Sequence, residues 1–151
     1  MSRRNTIILA ILTVAVGIQF IQPLENQSDR MERSLDITRQ FPVPSKVKAI
    51  LENSCYDCHS NNTKYPWYAK IQPGAWWLAS HIRKGKADLN FNEFGRYSTR
   101  QQRSKLKSIA SSVKDGIMPL RSYTLMHKNA ILSEEDKKLI INWAINITAN
   151  L

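Results

Sequence analysis

The apolar positions of this chain follow two patterns, and each predicts a different kind of element. Residues 7–21 read IILAILTVAVGIQFI, interrupted only by Thr13, Gly17 and Gln19. A helix apolar on all sides has no solvent face and suits a membrane or a large core. This run lies at the terminus behind Ser2-Arg3-Arg4-Asn5, the layout of a secretory signal or a membrane anchor whose positive end stays in the cytoplasm. Its end, Gly17-Ile18-Gln19-Phe20-Ile21-Gln22-Pro23, lacks the small-residue arrangement of a cleavage site. The expectation is an uncleaved anchor over residues 1–24, with everything after it outside the cytoplasm, in the periplasmic space next to the inner membrane.

Further on, apolar residues recur at helical spacing instead. Val47, Ile50 and Leu51 predict a helix capped by Ser45 that runs into Cys55. Trp77, Leu78 and His81 share one side of a helix predicted over 74–84. Ser98 and Gln101 form a capping-box pattern for a third helix carrying Leu106, Ile109 and Val113, and Gly116 suits its stop. Ser133 caps a last helix with Glu134, Glu135 and Asp136 in its first turn and Leu139, Ile140, Trp143 and Ile147 on its buried side. No segment keeps a period of two, so the fold class is all-α. Residues 25–40 are polar and charge-mixed, which predicts a tether. Phe41-Pro42-Val43-Pro44 is extended by its prolines and opens a domain over 41–151. Residues 61–73 read as a turn-rich loop bearing Tyr65, Trp67 and Tyr68.

Composition narrows the picture slightly. A chain of 151 residues supports one domain, 42% apolar residues exclude wholesale disorder, and two cysteines exclude a disulfide scaffold. The formal charge is +10, and nine basic residues lie within 83–114 against only Asp88 and Glu93. Such a surface suits an acidic protein partner or anionic headgroups when it is more than a solvated helix face; nucleic acid is not expected.

Candidate chemistry sits in one pentapeptide, Cys55-Tyr56-Asp57-Cys58-His59. C-x-x-C-H is the signature of c-type haem attachment: two thiols one turn apart each reach a vinyl group, and the following histidine is held as an iron ligand. Three other readings weigh less. A zinc site would need His81 and His127 to complete it and leaves His59 without a role. A thioredoxin-like dithiol needs a βαβ setting that is absent, and a local disulfide ignores the histidine.

The runs CYDCHSNNTKYPWYAKIQP, AWWLASHIRKGKADLNFNEF, MPLRSYTLMH and ILSEEDKKLIINWA resemble the bacterial haem-binding domain family across about residues 41–149. The resemblance implies a cytochrome-c-like monohaem domain, haem c (iron) as cofactor, and export. It implies no single activity beyond cofactor binding. The wider similarity is to small cytochromes c, in which a Met-Pro loop precedes the final helix.

Candidates for the second axial ligand are Met118, Met126, His127 and His81. Met118 is favoured by position and resemblance, because it stands beside Pro119 in a loop between helices. His59 is expected to donate its other ring N–H to a carbonyl near Pro66 or Pro73. Trp67, Tyr68 and Trp77, with Trp76, are the bulky groups expected to wall the cofactor. The expected role is electron transfer with redox protein partners, an electron carrier more than an enzyme. The alternative is a peroxidase-like enzyme or gas sensor with an open sixth position.

Overall fold

The structure, a computed structural model, describes residues 2–28 and 33–151. Among the described residues it is helical without strands. The order is α1 (Arg3–Gly17), α2 (Ile37–Gln40), α3 (Ser45–Ser54), α4 (Tyr56–His59), α5 (Gly74–Asp88), α6 (Thr99–Lys114), α7 (Arg121–Met126) and α8 (Glu134–Ala149), with short 3-10 turns between.

Helices α6 and α8 form the principal packed pair, and α3 lies against α8. Their inward stripes follow from the sequence period. Leu106, Ile109 and Val113 are buried on α6, and Ile140, Trp143, Ala144 and Ile147 on α8. Each helix starts with a complete capping box, Ser98 with Gln101 and Ser133 with Asp136, so its first amide groups find partners outside the ladder. Gly116 ends α6 at φ 66, a left-handed conformation that glycine adopts without steric penalty. In α3 the cap is Pro44 rather than Ser45, which is the first helical residue.

Two stretches are more ordered than their composition suggests. The segment after α5 winds into a 3-10 turn, Phe91–Arg96, whose Phe91 and Phe94 are among the most deeply buried side chains. In the segment expected as a tether, residues 29–32 lie outside the described residues, but both sides of it pack on the domain. Ile37 is fully buried in the core and Asp36 accepts hydrogen bonds from Thr38, Tyr56 and Asn92. Asn26 donates to the Ser60 carbonyl and to Thr63 Oγ1, both at 2.9 Å. Packing against the helices therefore includes residues before Phe41, with Asn26 and Asp36 used as inward hydrogen-bonding groups.

Helix α1 differs from all of this. None of its residues is buried. With the turn that follows, Arg3–Phe20 is a helix long and apolar enough to cross a membrane, near the N-terminus. By length and composition it fits an anchor or a signal segment.

Candidate functional site

The pentapeptide is built by an interruption. Helix α3 buries Val47, Leu51 and Ser54 and then breaks at Cys55, whose φ of −129° leaves the helical region. The Cys55 carbonyl nevertheless accepts from the N–H groups of both Cys58 (3.2 Å) and His59 (3.0 Å), closing the single turn of α4. That turn puts Cys55, Cys58 and His59 together. It is clamped from behind by α5, which crosses so closely that a Cβ on Gly85 would stand 2.7 Å from the Cys58 carbonyl oxygen. Only glycine fits there without backbone movement. The C-terminal end of α5 then delivers the Leu89 carbonyl, which accepts from His59 Nδ1 at 3.0 Å. The acceptor is thus a backbone carbonyl, but from Leu89 rather than from the loop around Pro66 or Pro73.

This hydrogen bond sets the chemistry of the ring. A proton on Nδ1 leaves the Nε2 lone pair for a metal. Burial pushes the His59 pKa below its ordinary value, against the opposing influence of the Leu89 and Gly85 carbonyls and of Asp88, so the ring is a neutral base at neutral pH. Burial also pushes Cys55 up to about 12, reinforced by Cys58, and Cys58 up to about 11, reinforced by Asp57. Both sulfurs are therefore protonated thiols, and they are not bridged. Among the described residues, no three or more His, Cys, Asp or Glu side chains are grouped to hold a metal ion by themselves.

Two neighbouring cavities open on this turn, of about 320 and 210 Å³. Both are lined by Ser54, Cys55, His59, Asp88, Met118 and Pro119. Leu89, Phe91, Ile109 and Val113 make the larger one apolar, with Lys105 also lining it. Cys58, His81, Lys84, Leu120 and Tyr123 line the smaller. A larger groove of about 750 Å³ is bordered by Asp36, Lys48, Glu52 and other polar groups. It contains neither Cys55, Cys58 nor His59, and its polar rim does not suit an apolar ring system.

Met118 reaches both cavities from a distant part of the chain. The N–H groups of Ile117 and Met118 both donate to the Ser112 carbonyl, at 2.9 and 3.1 Å, folding the loop back onto the end of α6. Of the four candidate second ligands, Met118 alone lines both cavities with His59. His81 lines only the smaller one, and its Nδ1 bonds the Trp77 carbonyl of its own helix. His127 is engaged elsewhere, its Nε2 at 2.9 Å from Tyr68 Oη and its ring stacked on Tyr123 at 4.2 Å. Met126 is exposed and lines neither cavity.

The expected aromatic walls do not line these cavities. Trp67 is 73% exposed, and Trp77 covers His81 with ring centroids 4.1 Å apart. Tyr68 is hydrogen-bonded to His127. Aromatic bulk does not say which way a ring on a helix or loop points. The groups that sequence reasoning missed are Phe91, Leu89, Ile109, Val113, Gly85 and Tyr123. The α6 stripe was legible as core, and it is this same stripe that becomes cavity wall. Tyr123 had no sequence signal: its hydroxyl donates to Asp57 Oδ2 at 2.7 Å, tying α7 to the middle of the C-x-x-C segment.

A largely apolar space with two thiols, a neutral imidazole and a thioether on its walls fits a flat iron porphyrin in its donor set. Comparison with known proteins agrees. Residues 13–146 match the model of a family described as the haem-binding domain. No curated protein and no solved structure matches the chain. The match spans well over half of the sequence, and the chain belongs to the haem-binding domain family.

Proposed function

We propose that this member of the haem-binding domain family is an exported, membrane-tethered monohaem c-type cytochrome that carries electrons. The observation that carries the reading is the shared lining of the two cavities: Cys55, His59 and Met118 face the same space, with Cys58 one turn away. Haem bound there supplies an iron centre that cycles by one electron.

The residues divide the work. Cys55 and Cys58 would hold the haem through thioethers, each S–H adding across a vinyl C=C bond with no oxidant needed. A neutral thioether also suits positions where burial opposes thiolate. His59, oriented by the Leu89 carbonyl, would offer its Nε2 lone pair to the iron. Met118 would offer a thioether as a second iron ligand, which would give a higher reduction potential than a second histidine would. Leu89, Phe91, Ile109 and Val113 exclude water, which keeps the reorganisation around a changing charge small. Lys84 and Lys105 offer cationic partners to the carboxylates of the cofactor. The basic residues of α5 and α6 steer an acidic redox partner, an attraction that weakens with salt.

Optical spectra of the full chain, matured with a c-type haem assembly system, test the reading. The expected result is a low-spin haem unaffected by carbon monoxide, with a methionine-to-iron band that Met118→Ala abolishes. A high-spin haem that binds the gas in the wild-type chain overturns Met118 as ligand and shifts the reading to sensing or peroxidase-type chemistry.

A further inference from the structure

The apolar N-terminal helix does not run out into free chain. Gln19 Oε1 accepts the Gln72 N–H at 2.9 Å. The Ile21 carbonyl accepts from Gln72 Nε2 at 2.7 Å and from Trp76 Nε1 at 2.9 Å. Gln22 Nε2 donates to the Lys70 carbonyl at 3.2 Å. Gln72 is buried beneath these contacts. From Gln19 onward the chain is fastened to residues 70–76 of the domain, and at Asn26 it is fastened again to Ser60 and Thr63.

Length makes this fastening consequential. The helix Arg3–Phe20 has 18 residues; at 1.5 Å per residue it is about 27 Å long, close to the roughly 30 Å thickness of a hydrocarbon core. A helix of this length is used up in crossing, so Gln19 to Gln22 emerge among the headgroups with no slack. Whatever is hydrogen-bonded to them is carried into the same layer. The surface carried there has the character of that layer: Phe20, Ile21, Leu24 and Ile71 are exposed, Phe20 by 84% and Leu24 by 97%. The indole of Trp76 is partly exposed beside them, and Lys70 is exposed next to Ile71. Indole rings favour the boundary between acyl chains and water, and a lysine lays its stem on apolar surface while its ammonium reaches phosphate.

We propose that the surface around Phe20, Ile21, Leu24, Ile71 and Trp76, with Lys70 at its rim, docks into the phospholipid headgroup layer of the membrane that the N-terminal helix crosses. The domain is then held at one height and one orientation instead of swinging on a tether. This inference rests on the anchor reading given above.

The test uses the full chain carrying Trp67→Phe and Trp77→Phe, reconstituted in phosphatidylethanolamine–phosphatidylglycerol vesicles. Trp76 and the buried Trp143 are then the remaining indoles. Some vesicles contain a lipid spin-labelled near the headgroup and others a lipid labelled at the end of the acyl chain, each compared with unlabelled vesicles so that quenching by the cofactor cancels. Alkaline extraction and the mass of the mature chain report on anchoring independently. The expected result is loss of most Trp76 emission to the shallow label and little to the deep one, a difference that Trp76→Phe removes. Unquenched Trp76 in a chain that resists extraction overturns the docking and leaves the anchor intact. Stronger quenching by the deep label also overturns it, because the ring then lies in hydrocarbon. A chain released by alkali, or a mature mass lacking the helix, overturns both readings.

Discussion

The two walls of the cavity are built by different means. On one side Cys55, Cys58 and His59 lie within five residues, on a turn closed by one carbonyl, clamped by Gly85 and oriented by Leu89. On the other side Met118 stands in a loop held by two amide bonds to the Ser112 carbonyl and, through α7, by the Tyr123–Asp57 hydrogen bond. The first wall is local and rigid; the second comes from a distant part of the chain and has fewer fastenings. The contrast assigns them separate tasks. On the proposed function, the cysteine–histidine wall would hold the cofactor and the methionine wall would set its electronic state.

The most severe break in that division is removal of the thiols. Cys55→Ala with Cys58→Ala should abolish covalent haem completely, read as loss of haem stain on a denaturing gel and of the added mass, whereas either single variant should retain one linkage. Stain that survives the double change would show that the haem is attached elsewhere.

Met118→Ala probes the other wall alone. The covalent haem should remain, while the methionine-to-iron band disappears, carbon monoxide gains access and the potential falls. Equal loss of haem in this variant would mean that the two walls are not separable.

Gly85→Ala should disturb the rigid wall without touching any candidate ligand. Its Cβ would lie 2.7 Å from the Cys58 carbonyl oxygen, so α5 must shift. The expected destabilisation is about 1–3 kcal/mol by denaturant unfolding, the range for forcing extra volume into a packed site. An unchanged midpoint would show that α5 yields freely there.

Tyr123→Phe sharpens the second wall more gently. It removes a hydroxyl bonded to a carboxylate in a half-buried position, so a loss of about 1 kcal/mol is expected. The methionine-to-iron band should weaken or shift while attachment is unaffected.

The smallest effect is in pH. His59 has a folded pKa below its ordinary 6.5 because of burial. The unfolded chain therefore binds more protons, and stability falls as pH drops below about 6.5, with a slope of at most about 1.4 kcal/mol per unit. Denaturant unfolding of the Cys55→Ala, Cys58→Ala chain at pH 7 and pH 5 measures it, and His59→Asn should flatten the difference.

How much of this was legible follows the same division. The capping box at Ser98, the cap at Ser133, the stop at Gly116 and the stripes of α6 and α8 were readable because a helix and its ends are decided within a few residues. The grouping of Cys55, Cys58 and His59 on a single turn was readable for the same reason. The 3-10 turn with Phe91 and Phe94 was not, since its geometry follows from burying two aromatic rings against distant helices. Helix α7 was missed as well, having neither length nor period to mark it.

The sequence by itself determined the helical class, the apolar N-terminal helix and the cluster of thiols and imidazole, since each depends on spacing along the chain. Tertiary structure decided which atoms surround that cluster. A carbonyl acceptor such as that of Leu89 carries no sequence mark, and polar residues such as Gln19, Gln22 and Asn26 look the same in a tether as in a hydrogen-bonded seam. Trp67 and Trp77 do not line the cavities while Ile109 and Val113 line the larger one, because direction is fixed only when helices pack.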